Sequence, residues 1–379
     1  MTEALRQPGT VLLPDPRRWN GQPDDDPLLP LAHASLAGDR GAQTRLVKAL
    51  HECIEQGRHA EIAGALQLAP GPAIYRHLWE LACAAADQPQ AGDEPVVARL
   101  FAIPVVLVAG AKRKVTIPGI VPDISEITVL LEAHGAVGAT RNFGLSNALS
   151  PLSALERVTF GQAYGWARDF TAAGAPRDIG AEAIDVAPGR EQVHLRFLVG
   201  AGIAAPTAPS FFETAANIGA WGMPLTRALA RQLAQPGLDL LPVPRPPAAI
   251  LKAAHAGRCA QLELAFSLFV SNTVRQFRSM VGDPTVVLSA HRGEAGMAEI
   301  RISMSSGLDD TQLEGFRWPL HPLDELEQVA SAITDLLREC RIGDVRVVKS
   351  VCVDDDEPVR MPFIRVADYD RLAREVSRH

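Results

Sequence analysis

Two stretches of alternating side chains near the C-terminus constrain the fold of this chain more than any other feature of its sequence. In residues 285–291 and 297–304 every second side chain is apolar, which is the period of a β-strand. The segment between them contains Gly293 and Gly296 and has the length of a short hairpin connection. The pattern therefore predicts an antiparallel β-hairpin.

Helical patterns flank this hairpin on both sides. A long helix is predicted over residues 261–280, and a second over residues 323–340. The second helix has an apolar stripe formed by Leu326, Val329, Ile333, Leu336 and Leu337. Residues 345–353 are rich in β-branched side chains and predict a further strand. The order of elements is then α-β-β-α-β.

A strand is also predicted at residues 192–199, where His194 and Arg196 point away from an apolar face. If this strand joins the C-terminal sheet, the order becomes β-α-β-β-α-β, the split βαβ arrangement of ferredoxin-like layers. Roughly 60 residues separate it from the helix that it should precede, which is long for a normal connection. We therefore expect an α+β fold with a C-terminal split βαβ (ferredoxin-like) layer, and we leave the place of this strand open.

The N-terminal part of the chain has a helical period. One predicted helix has its apolar stripe at Leu46, Leu50, Cys53 and Ile54. Before it, residues 1–30 are dense in proline, which leaves few backbone donors for regular structure. The predicted organisation is an extended leader (1–30), a small helical subdomain (31–92), an α+β domain (93–235), a proline-rich connector (236–248), a second α+β domain (249–356) and a C-terminal tail (357–379).

Composition excludes several classes of partner. The 37 basic and 44 acidic side chains give a net charge of −7, which argues against binding nucleic acid or an anionic membrane by bulk charge. The most apolar stretch, residues 100–111, is too short to cross a bilayer and contains Pro104. The 5 cysteines form no C-x-x-C pair, which indicates reduced thiols in the cytoplasm rather than a disulfide framework. We therefore expect a cytoplasmic protein with no nucleic-acid or membrane partner.

Cofactor motifs are weak or missing. Residues 200–205 match G-x-G-x-x-A after a predicted strand, but Pro206 and Pro209 follow where a dinucleotide site needs a helix N-terminus. A turn at the end of a strand is the favoured interpretation. The histidines and cysteines have no metal-ligand spacing, and the acidic runs lack the pattern of a calcium loop. The sequence predicts no cofactor and no metal.

The polar sides of the predicted strands supply the candidate site residues. The candidate catalytic residues, chosen as acid or base groups, are His291, His194 and Glu299. The candidate substrate-binding residues, chosen as anion-binding cations, are Arg196, Arg301 and Arg346. The alternative interpretation is an ordinary solvated sheet face, which the same alternation produces.

Two functions remain open at this point, and so does the question of whether the protein is an enzyme. The absence of catalytic motifs favours a non-enzymatic cytoplasmic protein acting through protein–protein contacts, as an adaptor, chaperone or assembly component. Its partner is then another protein or a second copy of the chain, and Trp318, before Pro319, is the candidate partner-binding anchor. The alternative is an enzyme that acts on a small anionic substrate through an Arg/His-lined sheet face.

Overall fold

The computed structural model confirms the α+β class, since helices and strands occupy separate stretches of the chain and the sheets are antiparallel or mixed. The chain divides into two compact units, an N-terminal unit (Met1–Gln261) and a C-terminal unit (Leu262–His379). The residues that the structure describes are 27–87, 97–109, 113–136, 141–173, 179–189, 192–205, 218–243, 247–280, 282–292, 298–306, 309–348 and 363–364.

The described part of the N-terminal unit opens with a group of helices: α1 (Leu28–Leu36), α2 (Arg40–Glu55), α3 (His59–Leu68) and α4 (Pro72–Ala86). Asp39 caps α2, because its carboxylate accepts hydrogen bonds from the backbone N–H groups of Gly41 and Ala42. The apolar stripe predicted for this helix is buried. The helices predicted for this part of the chain are therefore present.

The same unit contains an antiparallel sheet with the strand order β3-β5-β1-β6, and β7 also pairs with β1. Its strands are β1 (Val97–Ala109), β3 (Arg141–Pro151), β5 (Gln192–Ala204), β6 (Leu238–Leu241) and β7 (Ala248–Ala249). A separate two-stranded sheet joins β2 (Val115–Ile117) to β4 (Ile184–Val186). The helices between these strands are α5 (Ile124–Ala133), α6 (Leu152–Leu155), α7 (Phe160–Ala173) and α8 (Ile218–Gln232).

The central strands β1 and β5 are buried on both faces. On one face, β1 packs against the apolar sides of α5 and α8, with Ile103 and Val105 against residues such as Ile127 and Leu225. On the other face, α7 lies against both strands. Long apolar runs such as residues 100–109 are typical of strands covered on both sides.

The C-terminal unit contains a sheet with the order β10-β9-β8-β11, and a further short strand, β12, also pairs with β8. The strands are β8 (Thr285–Arg292), β9 (Ala298–Ser306), β10 (Asp309–Pro319), β11 (Val345–Val347) and β12 (Phe363–Ile364). Strands β8, β9 and β10 form an antiparallel meander, whereas β11 and β12 run parallel to β8. The helices are α9 (Ile250–Met280), which contains the boundary between the units, and α10 (Leu326–Glu339).

The predicted β-hairpin, the helix after it and the following parallel strand are all present, but two features of the predicted split βαβ layer need correction. The strand at 192–199 does not belong to this sheet, because β5 pairs along its length with β1 and β3 in the N-terminal unit. In addition, a third antiparallel strand, β10, follows the hairpin. Strand pairing depends on distant partners, which the local period does not reveal.

The G-x-G-x-x-A segment lies in β5 and does not form the turn expected at the end of a strand. The strand continues through Ala204, so the backbone at these glycines is extended and does not make the tight turn that a pyrophosphate site requires. Gly200 has a packing role, since a Cβ at this position would lie 2.4 Å from Cζ of Phe101 and 2.7 Å from Cδ2 of Leu145. The glycine lets neighbouring strands accept large side chains.

Most of the predicted leader, residues 1–26, and most of the predicted tail lie outside the described residues. Among the helices that the structure describes, none has the length and apolar character that a membrane span requires.

Candidate functional site

The structure divides the predicted site residues between its two sheets. His194 and Arg196 lie on β5 of the N-terminal unit, whereas His291, Glu299, Arg301 and Arg346 belong to the C-terminal sheet. The single Arg/His-lined face suggested by the sequence is therefore two separate sets of residues, which differ in how their charges are balanced.

The first set, which we call the Arg196 site, consists of His194 and Arg196 on one face of β5. Arg196 lies opposite Val105 of β1 on one side and Pro151 of β3 on the other. Pro151 is the last residue of β3, so β5 has only β1 as a neighbour at His194. The site therefore lies where β3 ends and β5 becomes an edge of the sheet.

Arg196 is a buried cation whose hydrogen bonds are incomplete. The residue is 1% exposed, and its Nη1 donates to the carbonyl oxygen of Leu149 over 3.2 Å. Its Nη2 is buried and has no hydrogen-bond partner among the described residues. Burial lowers the pKa of Arg196, and the Glu182 carboxylate acts in the opposite direction. A buried ion without a bonded counter-ion is destabilising, so such residues need a separate explanation.

His194 adds a second incompletely bonded group beside this cation. Its Nε2 is also buried and without a hydrogen-bond partner in the described part of the chain. Burial lowers the pKa of His194, and the nearby Arg196 charge lowers it further. The imidazole is therefore neutral at neutral pH, when it can accept a proton.

Two backbone segments form the wall of the Arg196 site next to the end of β3. The hydroxyl of Ser150 donates to the carbonyl oxygen of Ile179, and the N–H of Leu149 donates to the carbonyl oxygen of Gly119 over 2.7 Å. These bonds fix residues 119 and 179 beside the strand, and Glu182 follows in the same segment. The wall depends on Gly119, because a Cβ there would lie 2.8 Å from backbone atoms of Glu182.

We expect Gly119→Ala to lower the free energy of unfolding by about 1–3 kcal/mol, because the added methyl group meets backbone that cannot rotate away. Chemical denaturation of the full chain measures this change. Gly189→Ala is the matched control, since a Cβ at Gly189 meets no atom within 4 Å and the expected change is within about 0.5 kcal/mol. Equal stabilities of the two variants would show that the close approach at Gly119 is absent.

The second set, the Ser289 cluster, consists of Ser289 and His291 on β8 with Glu299 and Arg301 on β9. His291 lies directly opposite Glu299, and Ser289 directly opposite Arg301. Ser289 Oγ and His291 Nε2 share a hydrogen bond of 2.9 Å, and Arg301 Nε donates to Glu299 Oε1 over 2.6 Å. The sequence pattern thus placed these four side chains on one face.

The interpretation of this face as solvated is wrong. Ser289 is 2% exposed, His291 is fully buried and Arg301 is 8% exposed. The cluster is a bonded polar network inside the protein, in which Glu299 is the counter-ion of Arg301. Because the charges of Arg301 and Glu299 balance each other, the pair does not attract an anionic substrate.

Arg346 is also balanced by a neighbouring carboxylate. Its Nε and Nη2 donate to the two oxygens of Asp344, each over 3.1 Å. Thr285 Oγ1 donates to the same carboxylate over 2.8 Å. The Arg346 hydrogen bond, supported by that of Thr285, holds the pKa of Asp344 below its usual value. This arrangement accounts for Arg346 as one member of an ion pair beside β8.

Trp318 is a core residue and presents no exposed anchor to a partner, which corrects its predicted role. It is 2% exposed, and its ring contacts Phe266 edge to face with 6.1 Å between the ring centroids. It lies on β10, opposite Ile300 of β9.

The side-chain pattern of the sequence does not indicate the backbone and loop groups of the Arg196 site. Nothing local to Leu149, Gly119 or Glu182 marks them as neighbours of β5, because they reach it from separate segments of the chain. The end of β3 at Pro151 is the one detectable signal, since proline commonly ends a strand.

Comparisons of the chain with protein-family models, with curated proteins and with solved structures find no significant match. The fold and the two clusters therefore carry the functional argument by themselves.

Proposed function

We propose that the protein is an enzyme that acts on a small anionic substrate, which Arg196 binds and from which His194 accepts a proton. The observation that carries the proposal is the state of Arg196, a guanidinium that is 1% exposed and whose Nη2 has no hydrogen-bond partner in the described residues. An anionic group at Nη2 supplies the missing counter-charge and acceptor together.

His194 supports a catalytic use of the same site. A neutral imidazole two residues from the cation, on the same side of β5, lies about 7 Å along the strand. That spacing lets Arg196 hold the charged end of a substrate while Nε2 of His194 reaches a neighbouring C–H or O–H group. The C–H or O–H bond breaks with its electron pair left on the substrate, and the proton passes to Nε2, so that the imidazole becomes imidazolium. That proton exchanges with solvent, and the imidazolium returns a solvent proton to the substrate.

The other function that the sequence favours, protein–protein contact by a non-enzymatic chain, stays a prediction. Its one candidate anchor, Trp318, lies in a core. The Arg196 site offers a specific physical reason for a small ligand, and so we place it first.

A deuterium-exchange experiment tests the enzyme proposal. Full-length protein is incubated in D2O with a panel of small carboxylates, phosphate esters and sulfonates, and proton signals are followed by NMR. We expect the wild type to erase or shift the signal of one proton in at least one compound, while Arg196→Met and His194→Gln lose this activity.

Arg231→Met is the matched control, because Arg231 forms an ion pair with Glu126 and its side chain is 67% exposed in the same unit. It should keep full activity. If the wild type and Arg196→Met leave every compound in the panel equally unchanged, the proposed function is wrong.

A further inference from the structure

We infer that the group bound by Arg196 is the carboxylate of a small monoanionic molecule with an otherwise uncharged body, and not a phosphate. This inference rests on the proposed function and specifies the class of its substrate.

The charges around the site limit the charge that the bound group can have. Arg196 supplies the buried positive charge, and the Glu182 carboxylate that acts on it belongs to an exposed residue, where water screens it. His194 adds none while it is neutral. A carboxylate brings one negative charge, which balances the buried charge of Arg196, whereas a phosphate monoester brings about −1.5 to −2 at neutral pH. A phosphate would therefore leave an excess of negative charge inside the protein.

The number of available donors limits how many oxygen atoms of the bound group can be hydrogen-bonded. The hydrogen bond from Nη1 to Leu149 occupies one edge of the Arg196 guanidinium, so the free donors are on Nη2. Nη2 carries two N–H groups, and Nε2 of His194 is left to accept the proton. The two N–H donors of Nη2 are enough for the oxygens of one carboxylate, whereas a phosphate has three terminal oxygens to satisfy.

The surroundings of the site are apolar, which agrees with an uncharged ligand body. On the same face, Val105 lies opposite Arg196 and Leu107 lies opposite His194, and both are buried. Leu149 and Leu198 belong to the same buried cluster. Aliphatic walls of this kind favour a hydrocarbon body.

Thermal unfolding and titration calorimetry of the full-length protein test the inference. The probes are sodium acetate, butyrate and pyruvate, compared with sodium phosphate and with sodium chloride at equal ionic strength. We expect at least one carboxylate to raise the Tm in a saturable way, by about 5 °C at a large excess over its Kd, while phosphate raises it no more than chloride does.

Substitutions of Arg196 test whether the carboxylate that raises the Tm binds at this residue. Arg196→Met should remove the carboxylate response, and the exposed control Arg231→Met should keep it. Arg196→Met should fold, since replacing a buried ion by an apolar side chain is commonly tolerated. If it does not fold, Arg196→Lys keeps the charge but loses the planar fork, and it should weaken carboxylate binding by about tenfold.

The possible failures are distinguishable. A saturable response to phosphate and none to the carboxylates would overturn this inference but leave the proposed anionic substrate in place. No response to any anion, or a carboxylate response that persists unchanged in both Arg196 variants, would overturn the inference and the proposed function together.

Discussion

Replacing Trp318 with alanine should lower the free energy of unfolding of the C-terminal unit by about 3–5 kcal/mol, the usual cost of removing a large aromatic side chain from a core. The indole is 2% exposed and packs with Phe266, which in turn contacts Phe269 and Phe316. Truncation leaves a cavity between a strand and a helix that hold each other in place, so little relaxation is possible.

Urea unfolding followed by hydrogen exchange of peptides from β8 and β9 measures this loss. Leu313→Ala is the control, because Leu313 lies on the same strand as Trp318 but is 36% exposed, and its loss should cost less than about 1 kcal/mol. A Trp318→Ala variant as stable as the wild type would place the indole outside the core and restore it as a candidate partner anchor.

Replacing Glu299 with alanine should destabilise the same unit by about 3 kcal/mol, because it removes the carboxylate to which the buried Arg301 donates. The side chains of Arg301 and Glu299 are 10% and 21% exposed, so water replaces the lost partner poorly. The charge of Arg301 remains after the substitution, and this remaining charge makes the variant less stable than the loss of one hydrogen bond predicts.

Asp283→Ala provides the comparison for this prediction. Asp283 pairs with Arg278 over the same 2.6 Å, but its side chain is 75% exposed. Its loss should change the free energy of unfolding by no more than about 1 kcal/mol. Both variants are measured by denaturation at neutral pH, and equal effects at the two positions would show that the Ser289 cluster is solvated after all.

Local periodicity explains why several elements were predictable. The stripe of α2 recurs at the spacing of a helix, and the hairpin of β8 and β9 follows a strict alternation with glycines in its connection. The same alternation correctly grouped Ser289 with His291 and Glu299 with Arg301. These properties depend on residues close together in sequence, so the order of the side chains contains the necessary information.

Exposure of those groups was not predictable in the same way. Alternation indicates which side chains share a face, but it does not indicate whether that face is covered. His291 is fully buried, although its strand has the alternating pattern of a sheet with one solvent-exposed face. The residues that bury this face belong to other parts of the chain, so the sequence of the strand itself does not indicate that the face is buried.

The amino-acid sequence by itself determined the α+β class, the N-terminal group of helices and the pairing of two polar strand faces, because each follows from spacing along a few turns or a few strand residues. Only the tertiary structure decided that β5 pairs with β1 rather than with the C-terminal sheet. The same pairing separated Arg196 from Arg301, and it left Arg196 buried beside Leu149 without a carboxylate bonded to it in the described chain. Hydrogen bonds between strands that lie far apart in the sequence determine this pairing. The buried charge of Arg196 is a consequence of it.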